Sequence, residues 1–418
     1  MGDRTPELMV LAIAVVLALG AALLGTHDSG AGPPARPVVA AARIAKIERR
    51  VERLRGLRFL HPVPVAVVSP AVARRQGLAD FERSFRPGRQ AALEEAFKLL
   101  GFLGPRDDLR QITSAIYGEQ VAGYYDPRRG RLTLVQGAGV DDLTLAHELT
   151  HALEDQHFDL EHVGDDPDED VSSAQQALAE GTATAVQVLY LRRYPGSLDT
   201  GQMLSALGSP TTPLPPYMMR SLLFPYERGL GFVMALRRRG GWRLVNEALR
   251  SRRPVSTAQV IAPRRWLRRV RPVRVRLGVD AVLGASWRRI EGSTLGQADM
   301  QELLREPAGA EAAAVLGPAW RGGRFELWRR GPLPAAGCFV PCRALDVLVL
   351  ELRTGNPEAA RAIAATLGAW LRGPLRARAV GPAGGWQLPG GSAAVLRAEG
   401  RRVRVAFAPS AALARQLS

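Results

Sequence analysis

Two histidines with a glutamate between them form the one pattern in this sequence that points directly to chemistry. Residues 147–151 read HELTH, which places His147 and His151 four positions apart. On an α-helix such residues share a face, so both imidazoles can bind one metal ion, and Glu148 points to the same side. This HExxH pattern is typical of zinc hydrolases, in which the glutamate acts as general base.

A catalytic zinc ion needs a third protein ligand and an open position for water. We favour Glu180, which we expect on the next long helix, where Gly181 would allow close helix packing. The alternative is His157, six positions after His151, as in the HExxHxxGxxH arrangement. That arrangement requires a glycine at position 154 to bend the chain, and this sequence has Glu154 there.

The elements that must position these side chains can be read from the pattern of apolar residues. A helix is predicted from Asp141 or Asp142 to about Gln156, and a second helix from Ser172 or Ser173 to about Tyr194. The apolar runs 120–125 and 131–136 flank the turn DPRRG and predict a β-hairpin. We expect 131–136 to be the exposed edge strand that pairs with an extended substrate.

Other polar residues near the motif are candidates for supporting roles. Asp155, His157 and Asp159 are expected to orient the ligand imidazoles, with solvated charges as the simpler interpretation. Tyr226 or Tyr125 could donate a hydrogen bond to a developing oxyanion, although packing in the core is the more ordinary role for an aromatic residue.

These residues resemble the gluzincin branch of zinc metallopeptidases, and in particular a family of exported bacterial HExxH proteins. The resemblance spans roughly residues 50 to 270. It is carried by the segments 121–127 (VAGYYDP), 147–160 (HELTHALEDQHFDL), 177–183 (ALAEGTA), 224–245 (FPYERGLGFVMALRRRGGWRLV) and 254–266 (PVSTAQVIAPRRW). The chain departs from such relatives at Ala262, where they usually have a histidine before the proline. The resemblance implies a zincin-like fold and hydrolysis of peptide bonds.

The N-terminus predicts attachment to a membrane. Residues 8–24 are apolar or glycine without interruption, which is close to the length that crosses a bilayer. We therefore expect residues 1–24 to be a signal anchor, followed by a linker at 25–42 that is rich in glycine and proline. This predicts a single-pass protein of the cell membrane with an extracytoplasmic catalytic domain, or a secreted protein if the segment is cleaved.

Length and composition complete the expected architecture. A chain of 418 residues, 46% of them hydrophobic, is too long for a single core. We predict a zincin-like metallopeptidase domain at 43–270 and a smaller α+β domain of unknown role at 271–418. The fold class is therefore α+β, mainly helical around the HExxH helix.

The net charge bears on whether nucleic acid is a partner, and the number of cysteines bears on whether there is a structural zinc site. The formal net charge is +16, but only Lys46 and Lys98 are lysines, and the arginines are spread along the whole chain. Since no nucleic-acid-binding motif accompanies the charge, we do not expect nucleic acid as a partner. The two cysteines, Cys338 and Cys342, are too few for a structural zinc site and favour a small disulfide loop.

Two classes of function follow. The first is a membrane-tethered zinc metallopeptidase that hydrolyses a peptide or protein substrate, with Zn²⁺ held by His147, His151 and Glu180 and with Glu148 as general base. The second is a binding or scaffold protein that retains the peptidase fold without cleaving anything. The intact Glu148 favours the enzyme, whereas Ala262 gives the scaffold some weight. A hydrolase of non-peptide amides has the same ligand requirements.

Overall fold

The computed structural model describes residues 41–83, 88–112, 123–137, 140–195, 214–332, 341–381 and 384–418. Within these ranges helices combine with two separate β-sheets, one of three strands and one of seven. A mixed α and β architecture is therefore confirmed.

The part of the chain before residue 270 is mainly helical, with one small sheet. Its strands are β1 (Val65–Val68), β2 (Gly123–Asp126) and β3 (Arg131–Val135). Its helices are α1 (Ala41–Arg55), α2 (Pro70–Arg83), α3 (Arg89–Leu99), α4 (Asp142–Phe158), α5 (Glu169–Arg193), α6 (Pro216–Ser251), α7 (Thr257–Ile261) and α8 (Pro263–Leu267). Helix α6 is interrupted where Gly240 and Gly241 leave the helical region of backbone conformation.

The strand order of the small sheet is β1-β3-β2. Strand β1 runs parallel to β3, with Val65 opposite Leu132, and β2 runs antiparallel to β3, with Tyr125 opposite Leu132. Strand β3 is thus central and mostly buried. The prediction that 131–136 forms an exposed edge strand is wrong, because the distant strand β1 pairs with its free side.

Helices α4, α5 and α6 pack together with α1 around one hydrophobic core. Leu145, Leu149, Ala152 and Leu153 on α4 have no exposed surface, as the apolar stripe of the sequence predicts. Helix α5 starts at Glu169, three residues before the predicted Ser172. Its N-cap is Asp168, whose side chain accepts the N–H of Asp170, so the helix begins within the acidic stretch 165–170 (DDPDED).

The part of the chain after residue 270 is built on the larger sheet, with strand order β4-β5-β6-β10-β9-β8-β7. All neighbouring strands in it are antiparallel. The strands are β4 (Trp287–Thr294), β5 (Trp320–Arg330), β6 (Asp346–Thr354), β7 (Arg378–Val380), β8 (Gly385–Gln387), β9 (Ala393–Glu399) and β10 (Arg402–Ala408). The helices are α9 (Asp280–Leu283), α10 (Gln297–Leu316), α11 (Pro357–Arg372) and α12 (Ala411–Leu417). An extended segment, 271–278, connects α8 to this region.

The membrane prediction is corrected by the helices of the structure. Over the described ranges, none of them combines the length and the apolar character needed to cross a bilayer. For the part of the chain that the structure describes, this finding contradicts the assignments as a transmembrane, signal-anchored protein and as a single-pass membrane protein. The predicted anchor segment itself, 1–24, lies outside the described residues.

The cysteine prediction falls partly outside the described ranges as well. Cys342 is disulfide-bonded, whereas Cys338 does not lie among the described residues. Next to Cys342, Glu95 accepts its backbone N–H at 2.5 Å. This contact ties α3 to the start of β6.

Candidate metal centre

Helix α4 carries the HExxH residues and has well-defined ends. The side chain of Asp141 accepts the backbone N–H of Thr144 at 2.7 Å, which caps the N-terminus. Helical structure continues through Glu154 and stops at Asp159, whose φ of 54° is left-handed. Both motif histidines therefore lie on one uninterrupted helix.

Three ligand atoms meet between α4 and α5. The Nε2 of His147 lies 3.1 Å from Oε2 of Glu180 and 3.1 Å from Nε2 of His151. The third side of this triangle, from His151 Nε2 to Glu180 Oε2, is 3.4 Å. The structure thus brings His147, His151 and Glu180 together, although Glu180 is 33 positions from His147.

The triangle has the size that a tetrahedral metal ion requires. Bonds of about 2.0 to 2.1 Å at tetrahedral angles place neighbouring ligand atoms about 3.3 Å apart. His147 is almost fully buried, while the side chain of Glu180 keeps 26% of its surface exposed. The three residues can hold a metal ion that remains accessible from solvent on one side.

A second group of possible ligands, formed by Glu95, Cys342 and Asp346, does not fit a metal. The sulfur of Cys342 is engaged in a disulfide, so it offers no thiolate. Asp346 accepts two hydrogen bonds from Arg329, at 2.6 and 2.5 Å, and this buried ion pair already balances its charge. We therefore treat this group as structural.

The pKa values of Glu180 and His151 are shifted by their neighbours in the centre. Burial alone would raise the pKa of Glu180, but the charge of His151 and the hydrogen bonds of both imidazoles hold that pKa well below its usual range. Burial alone would lower the pKa of His151, and the Glu180 carboxylate outweighs it and raises that pKa to about 9. The carboxylate is therefore ionised, and near neutral pH a metal ion must displace a proton from the His151 imidazole.

Glu148 lies beside the ligands and is held by the neighbouring strand. Its Oε2 accepts the backbone N–H of Tyr125 at 2.7 Å. Withdrawal from water raises the pKa of Glu148, and the two imidazoles and the Tyr125 N–H oppose that rise. A carboxylate with a raised pKa next to a metal site is suited to accept a proton near neutral pH.

Tyr125 links strand β2 to helix α4 at two points. Besides the backbone contact with Glu148, its hydroxyl donates to Oδ2 of Asp155 at 2.7 Å. The other carboxylate oxygen of Asp155 accepts the N–H of Leu160 at 2.8 Å. The Tyr125 hydroxyl is therefore committed to the structure and is not free to donate to an oxyanion.

Asp155, His157 and Asp159 form hydrogen bonds to other groups and do not contact the ligand imidazoles. The prediction that they orient those imidazoles is therefore wrong. Asp155 binds Tyr125 and Leu160, and Nε2 of His157 lies 2.8 Å from the carbonyl oxygen of Arg58. Asp159 ends the helix. Among the described residues, Nδ1 of His147 is buried without a hydrogen-bond partner, so packing sets the orientation of that ring.

Glu154, which stands where the HExxHxxGxxH arrangement has glycine, forms a buried ion pair with Arg55. Glu154 and Arg55 have no exposed surface, and Arg55 Nε donates to Glu154 at 2.6 Å. Arg55 also donates to Asn246 at 2.6 Å and lies over the ring of Trp242. The pair connects α1, α4 and α6 behind the metal centre, and the helix does not bend to bring His157 to it.

Glycines bring α5 and α6 into close contact beside the centre. A Cβ on Gly181 would lie 2.2 Å from the carbonyl carbon of Gly229, and one on Gly229 would lie 2.0 Å from the carbonyl oxygen of Ala177. Gly181 thus allows α6, rather than α4, to approach α5. This contact places Tyr226, one turn before Gly229, with its ring centroid 6.1 Å from that of His147.

Comparisons with known proteins give little further information. No family model and no curated protein matches the chain. Among solved structures, the chain is similar to a candidate hydrolase with a novel fold from Chloroflexus aurantiacus, at 17% identity and a TM-score of 0.37. The match covers 64% of this chain and 98% of that one. A likeness at this level does not establish a shared fold or function.

Proposed function

We propose that this protein is a zinc-dependent metallopeptidase of the gluzincin type with a zincin-like catalytic domain. The observation that carries the proposal is the triangle of His147, His151 and Glu180 ligand atoms with Glu148 next to it. Two imidazoles and one carboxylate form a donor set that zinc accepts and that leaves a coordination position open. When bound, the zinc ion would supply Lewis acidity that makes water a better nucleophile at neutral pH.

Glu148 is the general base in this proposal. Its carboxylate would take the proton of the attacking water and pass it to the leaving amine. The backbone N–H of Tyr125 holds one carboxylate oxygen, so the other stays available for the proton. Tyr226, whose ring centroid lies 6.1 Å from that of His147, would be the residue that donates a hydrogen bond to a developing oxyanion in this proposal.

The edge strand nearest to the centre offers a place for an extended substrate. Strand β2 lies at one end of the small sheet, and the N–H of Tyr125 points away from β3 towards Glu148. A peptide that pairs with the outer edge of β2 would pass Glu148 and the metal ligands. This geometry favours a peptide or protein substrate over a small amide.

The test is a digest of casein and of a quenched fluorescent peptide library by the zinc-loaded protein. We expect cleavage that a chelator abolishes and that Glu148→Gln lowers by about a hundredfold or more with its zinc content unchanged. Glu161→Gln, which removes an exposed carboxylate outside the centre, is the matched control and should cleave like the parent. Bound zinc without cleavage of any peptide would favour the scaffold function instead.

A further inference from the structure

A cavity of about 770 Å³ lies between the start of α5 and the seven-stranded sheet. Strands β4 and β5 form its floor, and the extended segment 271–278 forms one wall. It is lined by five arginines: Arg271, Arg274, Arg276, Arg289 and Arg324. We call this cavity the arginine cleft. Clefts between the parts of a chain are frequent ligand sites.

The floor of the arginine cleft holds two guanidinium groups in place. Oε1 of Glu326 lies 2.9 Å from Nε of Arg324 and 3.5 Å from Nη1 of Arg289. Its Oε2 accepts the indole N–H of Trp328 at 3.1 Å. Each guanidinium has five N–H donors and gives only one of them to Glu326, so most of their donors remain available for a ligand.

The wall of the cleft carries a row of cations. Arg274 and Arg276 are exposed and alternate with the buried Val275 and Leu277, which is the period of an extended chain. Within the described ranges, neither these two arginines nor Arg271 has a hydrogen-bond or ion-pair partner. Two residues of extended chain advance by about 7 Å, so the charges of Arg274 and Arg276 are spaced like alternate side chains of an extended peptide.

Most of the acidic residues that line the cleft accept hydrogen bonds from neighbouring residues. Asp168 accepts the hydroxyl of Thr294, and Asp170 accepts the N–H of Thr257 at 2.9 Å and its hydroxyl. Asp280, which is exposed, is the lining acid without such a donor in the described part of the chain. The lining thus carries five arginines against four carboxylates, and the positive charge is concentrated on segment 271–278, which has three arginines and no acidic residue.

We propose that the arginine cleft binds an acidic stretch of an extended polypeptide. A single phosphate would require guanidinium groups that converge on one point, whereas a row of cations along an extended wall suits several carboxylates in series. The carboxylates of aspartate and glutamate side chains at alternate positions of a peptide have this spacing. The ligand class is therefore an acidic peptide segment.

The cleft and the metal centre share helix α5, and on this ground we assign the cleft to substrate binding, which rests on the proposed peptidase function. Val171 lines the cleft and Glu180 is a metal ligand, and both lie on α5. Nine residues advance an α-helix by about 14 Å and turn it by about 180°, so a substrate would need at least four residues of extended peptide and would pass round α5. Favoured substrates should carry acidic residues at least about four positions from the cleaved bond.

Direct binding tests the cleft without any need for catalysis. A fluorescein-labelled peptide with six glutamates is titrated by fluorescence anisotropy with Glu148→Gln protein, which prevents cleavage. We expect Arg274→Gln with Arg276→Gln to weaken binding by about tenfold at about 0.1 M salt. The pair Arg361→Gln with Arg378→Gln changes the net charge equally at exposed sites outside the cleft and should stay within about twofold.

The outcomes separate the cleft from the peptidase. Equal weakening in both arginine pairs, or no binding at all, would overturn the proposal. A neutral peptide cleaved as well as an acidic one, with unchanged KM in the cleft variant, would also overturn it. Cleft-dependent binding without any hydrolysis would keep the cleft and reject the peptidase. Tighter binding of inorganic phosphate or of oligothymidylate than of the acidic peptide would reject the polypeptide ligand.

Discussion

Replacing Gly229 by alanine tests the close contact between α5 and α6 beside the metal centre. The new Cβ would lie 2.0 Å from the carbonyl oxygen of Ala177, whereas ordinary contacts begin at about 3.4 Å. That oxygen belongs to the backbone of α5 and cannot rotate away. Helices α5 and α6 must therefore separate by about 1 Å. Gly231→Ala is the matched control, because a Cβ at Gly231 on the same helix meets nothing within 4 Å.

The two substitutions should change stability in opposite directions. Overpacking of this kind costs about 1 to 3 kcal/mol, and a rigid backbone neighbour favours the upper half of that range. Gly231→Ala meets no obstacle and should stabilise the protein by about 0.5 to 1 kcal/mol through helix propensity. The free energy of unfolding from urea titration, with equal m-values, measures both effects.

The same substitution should disturb metal binding. Glu180 lies between Ala177 and Gly181 on α5, so a shift of that helix moves its carboxylate by far more than the ~0.2 Å that a metal site tolerates. We expect zinc affinity, measured against a competing chelator, to fall at least about tenfold in Gly229→Ala and to stay unchanged in Gly231→Ala. Equal stability and equal zinc affinity of the two variants would refute the close-contact argument.

Three further predictions concern the centre itself. Glu180→Gln should weaken zinc binding at least about a hundredfold, whereas His157→Ala should leave it unchanged, as equilibrium dialysis can show. Since the pKa of His151 is raised to about 9 in the metal-free protein, zinc displaces a proton below that pH. The apparent affinity for zinc should fall about tenfold per pH unit from pH 8 to 6. An affinity that does not depend on pH would contradict the assignment of His151 as a zinc ligand. Tyr125→Phe keeps the backbone N–H bond to Glu148 but loses the hydroxyl bond to Asp155 that ties β2 to α4, so it should lower kcat with zinc content unchanged. Tyr124→Phe, which loses a bond of equal length to Gln76, should not lower it. Equal rates of the two variants would show that the bond from Tyr125 to Asp155 does not help to position Glu148.

The parts of the site that follow from local sequence can be predicted from the residues alone. The spacing of His147, Glu148 and His151 fixes their shared helix face, because helical periodicity depends only on neighbouring residues. Glu154 in place of glycine indicates that the helix continues, and it does so to Phe158. The helix carrying Glu180 follows from the same kind of pattern, although the direction in which that carboxylate points does not.

The parts that depend on distant segments cannot be read in the same way. Strand β3 resembles an edge in the sequence because its hairpin partner precedes it, but residues 65–68 pair with its other side from more than sixty positions away. The sequence suggests a role for the hydroxyl of Tyr125, whereas in the structure its backbone N–H donates the hydrogen bond to Glu148. In the sequence, the small residues of α6, such as Gly229, are the feature that could have predicted its close packing against α5.

The arginine cleft also depends on contacts between distant segments and therefore could not be predicted from the sequence. Its cations come from the segment 271–278 and from strands β4 and β5, and its far side comes from the first turn of α5. The first turn of α5 lies about a hundred positions or more from the other three segments. In the sequence the arginines are scattered evenly, so only the fold reveals which of them share a cavity.

X-ray absorption at the zinc K-edge, on protein loaded with one equivalent of zinc, tests the central claim most directly. The account predicts two imidazole ligands and light-atom neighbours at about 2.0 Å, with a changed spectrum in Glu180→Gln. A zinc ion with fewer than two imidazoles, or a spectrum that is unaffected by Glu180→Gln, would contradict it.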